Sequence, residues 1–255
     1  MKERTYVGAI DQGTTGTRFI VFDHGGQPVA NAYETHEQIY PEPGWVEHDP
    51  EEIWDNTTAV IRRALDDAGI DASQLAAIGI TNQRETTVVW DRESGTPVYN
   101  AIVWQDRRTT DRIEALEREG KDAWIRETTG LEPDAYFAAT KAEWLLENAD
   151  PIKLQRMRPE DVRDRAEEGE LCFGTVDSWL IYKLTGEHVT DVTNASRTML
   201  FDIHELAWDD DLLAEFDVPR AMLPEVRPSS DDERYGTTDP DGFLGAEVPV
   251  AGALG

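Results

Sequence analysis

Short apolar segments open the chain, and their spacing predicts strands. Residues 6–11 and 18–23 are β-rich and flank a small, hydroxyl-rich loop, a pattern typical of a hairpin. A further strand at 27–34 follows the Gly25-Gly26 turn. Asp49 and Pro50 then supply an N-cap and a proline at the first helical position, so a helix begins there and ends at Gly69.

The rest of the chain alternates strand and helix patterns. The run at 76–81 predicts a strand that is buried on both faces, and further strands are expected at 86–90, 96–99 and 170–173. Helical patterns cover 107–118, 122–128, about 140–148, 175–184 and a segment near 209–216. The charged stretch 151–170 predicts a surface helix or a tolerated insertion. The order indicates an α/β domain with a mixed sheet that opens in antiparallel hairpins and is flanked by helices.

Charge excludes one class of partner. The chain of 255 residues has 24 basic and 52 acidic side chains and a net charge of −28, so it lacks the basic footprint of a nucleic-acid-binding protein. A surface adapted to high salt explains this acidity, because salt screens the repulsion between carboxylates. An ordinary acidic protein is the alternative.

Cysteine content and hydropathy indicate a compartment. Cys172 is the single cysteine and lies in an apolar run, so we expect a buried structural thiol and no internal disulfide. No segment approaches the roughly 18 apolar residues of a membrane span, and no signal core precedes the first strand. These features predict a cytoplasmic protein without a membrane span.

The first candidate for chemistry is the loop after residue 11. Asp11 ends a strand and is followed by Gln-Gly-Thr-Thr-Gly-Thr, a turn that exposes backbone N–H groups and hydroxyls to an anion. Asp11 suits a phosphate-bound Mg²⁺ held through water, and Arg18 suits neutralisation of phosphate charge. The loop lacks the lysine of a P-loop. Taken alone, such a loop is more often a simple turn.

The second candidate is the pair Arg84 and Glu85 at the end of a predicted strand. A guanidinium beside a carboxylate suits a polyhydroxyl ligand, whose hydroxyls both donate and accept hydrogen bonds. A surface ion pair is the alternative. Trp104 and Tyr136 would add an apolar wall and a phenolic hydroxyl, although core packing explains an isolated Trp equally well.

Several motifs, taken together, resemble one family. They are residues 11–15 (DQGTT), 44–50 (GWVEHDP), 79–86 (GITNQRET), 99–105 (YNAIVWQ), 174–180 (GTVDSWL) and 193–200 (TNASRTML). In this order they closely resemble the glycerol kinases, which are carbohydrate kinases of the actin, hexokinase and heat-shock ATPase superfamily. The resemblance extends from residue 5 to the last residue. It implies a ribonuclease-H-like domain, and residues 1–255 would be the N-terminal carbohydrate kinase domain.

The resemblance implies ATP-dependent phosphorylation of glycerol to sn-glycerol 3-phosphate, with ATP/ADP and Mg²⁺. It assigns glycerol to four residues, the nucleotide phosphates to four others and Mg²⁺ to one carboxylate through water. The glycerol ligands would be Arg84, Glu85, Trp104 and Tyr136; the nucleotide ligands Thr14, Thr15, Gly16 and Arg18; and the Mg²⁺ partner Asp11. It leaves open a homo-oligomer. Ala138 departs from the family signature, which usually has Ser, Thr or Pro there, but touches no chemistry.

One catalytic group is absent from the sequence. In the resembling family the general base is an aspartate directly after a Gly-rich strand like residues 250–255, and Gly255 is the last residue. The C-terminal, nucleotide-side domain is also absent, so we expect this chain alone to be inactive. The alternatives are a kinase for another polyol or a pentulose, and a non-catalytic polyol-binding fragment.

Overall fold

The computed structural model describes residues 5–151, 154, 157–230 and 235–255. The strands are Tyr6–Gln12 (β1), Gly16–Phe22 (β2), Pro28–Thr35 (β3), Glu47–His48 (β4), Leu75–Asn82 (β5), Thr87–Asp91 (β6), Ala101–Ile102 (β7), Leu171–Thr175 (β8), Val189–Asp191 (β9), Phe201–Asp202 (β10), Ala207–Trp208 (β11), Glu225–Arg227 (β12) and Val250–Leu254 (β13). The helices are Pro50–Ala68 (α1), Thr110–Arg118 (α2), Asp122–Thr129 (α3), Ala138–Asn148 (α4), Val162–Glu167 (α5), Val176–Thr185 (α6), Val192–Ala195 (α7) and Asp210–Glu215 (α8). Short 3₁₀ turns cover Ala72–Gln74, Pro159–Asp161 and Arg220–Met222.

The main sheet is mixed, as the sequence predicts. Its strand order is β13-β5-β1-β2-β3, in which β1, β2 and β3 are antiparallel neighbours and β5 and β13 run parallel to β1. The predicted opening hairpin and third strand are therefore confirmed. Because β1, β5 and β13 are parallel, their carboxyl ends lie at one edge of the sheet, where the chemistry-bearing loops begin.

Helix α1 begins and ends at the predicted residues. The side chain of Asp49 accepts a hydrogen bond from the N–H of Glu51, and Pro50 occupies the first turn. Gly69 ends the helix in the left-handed conformation at φ 65°, which glycine adopts without a Cβ penalty. The buried face of α1 packs on β2 and β3.

The prediction that residues 76–81 are buried on both faces is wrong. Ile78 and Ile80 are buried, whereas Ala77 and Gly79 are half-buried and Thr81 is exposed. Helices α1 and α6 both contribute to the core on one side of this sheet, and that side takes the alternate residues of each strand. The β5 residues that face the other side are therefore only half-buried or exposed.

A second core surrounds the smaller sheet, whose strand order is β4-β7-β6-β8. It includes Val162 and Ala166 of α5, which are buried, so the predicted surface helix within 151–170 is wrong in character. A short helix needs only two apolar residues to dock when neighbours enclose it. Residues 152, 153, 155 and 156 of that stretch lie outside the described part. The predicted strand at 96–99 is also wrong: only an isolated bridge joins Pro97 to Trp90.

Cys172 is fully buried on β8, as predicted. Burial raises the pKa of its thiol to about 12, so the thiol stays protonated and unreactive. Of the helices in the described part, none has the length and apolar composition that a bilayer crossing needs.

Candidate functional site

The loop between β1 and β2 is a tight turn at the carboxyl edge of the main sheet. The N–H of Gly13 donates to the carbonyl of Gly16 at 2.9 Å, leaving Thr14 half-buried and Thr15 exposed at the tip. A Cβ at Gly16 would lie 2.3 Å from the carbonyl oxygen of Glu34. Gly16 is therefore required by the close approach of β3, whatever else it contacts.

Asp11 and Arg18 face each other across the β1–β2 ladder. Asp11 is paired with Arg18 in the register and is half-buried, whereas Arg18 is exposed and lies 5.4 Å from the centroid of the Tyr33 ring. Within the described residues the Arg18 guanidinium makes no ion pair with a carboxylate. It is available to an anionic ligand at this edge.

Glu85 has an uncommon backbone conformation. Its backbone has φ 61°, which is uncommon for a residue with a Cβ and occurs mainly where surrounding structure enforces it. The N–H of Thr86 donates to the carbonyl of Arg84 at 2.7 Å, and the hydroxyl of Thr87 donates to the carbonyl of Glu85 at 3.1 Å. These bonds hold the turn that sends the carboxylate inward, where the residue is 1% exposed.

Arg84 and Glu85 do not pair with each other, so the surface-ion-pair alternative is wrong. The Glu85 carboxylate accepts from Nε of Arg197 at 2.6 Å. Arg84 is exposed and makes no ion pair within the described residues. A Cβ at Gly255 would lie 2.8 Å from Cδ of Arg84, so the end of β13 meets Arg84 at this edge.

Tyr136 and Trp104 form an aromatic wall beside this carboxylate. Their ring centroids are 5.4 Å apart, and the Arg197 guanidinium lies 5.7 Å from the centroid of Tyr136. Burial and the neighbouring Glu85 charge raise the pKa of Tyr136, so its phenol keeps a proton to donate. Tyr136 and Arg197 also line an open cleft of about 440 Å³ whose other walls come from Phe137 and from residues between 130 and 134, so Arg84, Glu85 and Trp104 are not among its lining residues.

Lys141 supports the segment that carries Tyr136. Its side chain is fully buried, and the ammonium donates to the carbonyls of Tyr136 and Phe137 at 2.5 and 3.0 Å. Desolvation lowers the pKa of Lys141 to about 7, against the charges of Asp106 and Glu85. The first residues of α4 are thus tied to the wall of the cleft.

A direct hydrogen bond connects the two groups of predicted site residues. The indole Nε1 of Trp104 donates to the hydroxyl of Thr14 at 2.9 Å. The structure therefore brings Thr14 of the β1–β2 loop against the aromatic wall and the Glu85 carboxylate. The other predicted nucleotide and Mg²⁺ residues lie nearby on the same hairpin: Asp11 on β1, Thr15 in the loop, and Gly16 and Arg18 on β2.

Sequence reasoning did not single out Arg197 or Lys141 as site residues. Arg197 lies in the 193–200 motif, which carries part of the family resemblance. An arginine in such a motif indicates a partner for a buried carboxylate elsewhere in the chain. Lys141 lies on an otherwise apolar helix face, three residues before Trp144. A lysine in that position indicates a buried ammonium that needs carbonyl or carboxylate partners.

In the described part of the chain no group of three or more His, Cys, Asp or Glu side chains is placed to hold a metal ion. A lone carboxylate such as Asp11 suits Mg²⁺ that arrives on phosphate and keeps several waters.

Comparison with known proteins identifies the family. The profile described as "FGGY family of carbohydrate kinases, N-terminal domain" matches residues 6–255. This chain belongs to the FGGY carbohydrate kinases. Its sequence is 78% identical over 255 residues to the glycerol kinase of Haloferax volcanii and 72% identical over 251 residues to that of Haloquadratum walsbyi. These matches cover 100% and 98% of the chain but 50% and 49% of the relatives, so the chain spans about half their length.

Solved structures agree with the predicted ribonuclease-H-like fold. Plasmodium falciparum glycerol kinase with ADP superimposes with a TM-score of 0.89 at 32% identity, covering 99% of this chain and 49% of that one. Xylulose kinase from Rhodospirillum rubrum gives a TM-score of 0.83 at 24% identity, covering 98% of this chain and 48% of that one, which shows the fold alone. The ribonuclease-H-like, actin-like ATPase fold expected from the sequence is confirmed.

Proposed function

We propose that the chain is the substrate-side half of an ATP-dependent glycerol kinase that forms sn-glycerol 3-phosphate. The observation that carries the proposal is the buried Glu85 carboxylate beside Tyr136 and Trp104, together with the hydrogen bond that the Trp104 indole donates to Thr14 of the β1–β2 loop. A polyol site and a phosphate loop must lie this close because phosphoryl transfer depends on positioning and charge stabilisation. The glycerol kinase names of the Haloferax and Plasmodium proteins support the same substrate.

In this proposal the glycerol ligands divide the hydrogen-bonding work. Glu85 accepts from glycerol hydroxyls, and Arg84, which has no ion-pair partner among the described residues, donates to them. Tyr136 donates from its phenol, and Trp104 packs on the carbon chain. Arg197 orients the Glu85 carboxylate through a charge-assisted hydrogen bond of 2.6 Å.

The nucleotide side follows from the β1–β2 loop. Thr14, Thr15 and Gly16 would contact the phosphates, and Arg18 would neutralise their charge. Mg²⁺ bound to ATP would be held by Asp11 through water and would offset phosphate charge during transfer. The general base is proposed directly after Gly255, where the resembling family has its aspartate. The N–H of Gly255 donates to the Thr193 hydroxyl at 2.8 Å, and a Cβ at Gly255 would lie 2.8 Å from Cδ of Arg84, so this point of the chain lies beside a proposed glycerol ligand.

A coupled ADP-release assay on the complete kinase that contains this chain tests the proposal. We expect turnover of glycerol to exceed turnover of xylulose by at least about tenfold, and the 255-residue chain alone to show none, since general-base assistance is worth about 10²–10⁴-fold. Preference for xylulose would favour the pentulose kinase alternative. Calorimetric glycerol binding without turnover in the complete protein would favour the polyol-binding alternative.

Two further assignments belong to the proposal. Salt adaptation is supported by the net charge of −28 and by the halophilic relatives, Haloferax and Haloquadratum. A cytoplasmic location is supported by the buried single thiol and by the need for ATP.

A further inference from the structure

His48 lies in the 44–50 motif, and its chemistry has no part in the site described above. It is fully buried on β4, which pairs with β7 just before Trp104. Its imidazole is hydrogen-bonded on both sides by glutamine side chains. Nε2 lies 2.9 Å from Oε1 of Gln38, and Nδ1 lies 3.2 Å from Nε2 of Gln83.

This imidazole is the centre of a chain of hydrogen bonds between the phosphate loop and the aromatic wall. On one side, Nε2 of Gln38 donates to the backbone carbonyl of Thr14 at 3.0 Å. On the other side, Oε1 of Gln83 accepts from the Thr86 hydroxyl at 3.0 Å, and that hydroxyl accepts from the backbone N–H of Trp104 at 3.3 Å. The Trp104–Thr14 bond at 2.9 Å closes the chain into a ring.

The groups at the two ends of this series of hydrogen bonds, the Thr14 carbonyl and the Trp104 N–H, fix the direction in which every bond between them donates. The Thr14 carbonyl can only accept, so Gln38 turns its amide nitrogen to Thr14 and its oxygen to His48. The Trp104 N–H can only donate, so the Thr86 hydroxyl gives its own proton to the Gln83 oxygen. The Gln83 amide nitrogen therefore faces His48, which must accept at Nδ1 and donate at Nε2.

Only one protonation state of His48 allows every hydrogen bond in this closed series to form. The neutral Nε2–H tautomer satisfies both glutamines, whereas the Nδ1–H tautomer or the cation would set one donor against another. The surroundings favour the neutral form, because burial lowers the pKa of His48 to about 3 and His36 lies with its ring centroid 4.4 Å away. Gln83 is 7% exposed and Thr86 is fully buried, so water has little access to replace a lost partner.

We propose that His48 is a positioning residue which, as the neutral Nε2–H tautomer, sets the phosphate loop at Thr14 against the substrate wall at Trp104. The kinetic consequences of this proposal rest on the proposed kinase function. The tautomer assigned to His48 rests only on the closed series of hydrogen bonds between Thr14 and Trp104. His48 is fully buried, so it would contact neither substrate directly. A defect there should therefore affect the use of both substrates together.

The first test is independent of activity. Long-range ¹H–¹⁵N correlation spectra of the ¹⁵N-histidine-labelled chain would report the tautomer of His48, with His48→Gln identifying its signals. We expect a protonated Nε2 and an unprotonated Nδ1 from about pH 8 down to about pH 5. An Nδ1–H tautomer or a cation within that range would overturn the proposal.

The second test uses the complete kinase. His48→Phe keeps a ring but removes both polar atoms, and we expect kcat/KM to fall at least about tenfold for glycerol and for ATP, since misplacing reacting groups by about 1 Å can cost about 10². His48→Gln can still donate and accept, and should stay within about threefold of the parent. His24→Phe, at an exposed histidine, is the matched control and should match the parent.

Three kinetic results would overturn the proposal: a parent-like His48→Phe enzyme, a loss confined to one substrate, or a folded His48→Gln enzyme as poor as His48→Phe. If His48→Phe does not fold, Thr86→Val takes its place, because it removes the hydroxyl between Gln83 and Trp104 while conserving volume. A complete protein without glycerol turnover would contradict the proposed function. The tautomer measurement would still show whether His48 is the neutral Nε2–H form that the hydrogen bonds require.

Discussion

Because Lys141 is buried, the free energy of unfolding of this domain should rise with pH, and the substitution Lys141→Met should remove that rise. Burial lowers the pKa of Lys141 from 10.5 to about 7. Below pH 7 the side chain is protonated in both the folded and the unfolded chain, so the folded state carries the full cost of the buried charge. Between the two values only the unfolded chain binds the proton, and stability therefore rises with pH.

The magnitude follows from the same two values. One pH unit in this window is worth about 1.4 kcal/mol for one proton. From about pH 7 to about pH 9.5, the free energy of unfolding of the parent should thus gain about 3 kcal/mol relative to a Lys141→Met variant. Comparing the two proteins cancels the titration of the other groups.

Urea unfolding at a fixed molar KCl concentration measures, at each pH, the gap between parent and variant, which is the difference in their free energies of unfolding. Lys121→Met is the matched control, because ion pairs with Glu119 and Glu215 raise the pKa of Lys121 and leave no titration between pH 7 and 9.5. The gap between parent and control should stay flat there. A Lys141→Met gap that is equally flat, or that narrows as pH rises, would refute the reasoning.

The remaining predictions concern the site and the surface. In the complete kinase, Arg84→Ala should mainly raise the KM for glycerol and Thr14→Ala the KM for ATP, and the division of the site is wrong if both change the same parameter alone. Glu85→Gln should lower kcat/KM for glycerol about 10- to 100-fold, because a hydrogen bond to a charged group contributes about 1.5–3 kcal/mol; Glu160→Gln, at an exposed ion pair, should not, and equal effects would contradict a glycerol role for Glu85. With a net charge of −28, the melting temperature should rise from low salt to molar KCl, and a flat or falling midpoint would contradict salt adaptation.

Local signals were sufficient for the elements that begin the chain. The Asp49 cap, Pro50 and Gly69 act within a few residues of themselves, so the bounds of α1 follow from short-range chemistry. The hairpin at the start is equally local, since its two strands are joined by a short loop. Such features are readable because their partners are close in sequence.

Burial was harder to predict, because it depends on what packs against an element. The apolar run in β5 is compatible with two covered faces, but α1 and α6 lie on the same side of the sheet. Conversely, α5 has few apolar residues and is nevertheless docked through Val162 and Ala166. Neither outcome is encoded within the segment itself.

The sequence by itself determined the family, the order of strands and helices, and the residue types available for polyol and phosphate chemistry. Only the tertiary structure decided how those residues pair. Glu85 turns away from its neighbour Arg84 to meet Arg197, which is 112 residues further along the chain. The hydrogen bonds through His48 likewise connect Thr14 to Trp104 by way of Gln38, Gln83 and Thr86, although Thr14, His48 and Trp104 lie far apart in the sequence. Pairings of this kind depend on backbone direction and strand register, which arise only when distant segments pack together.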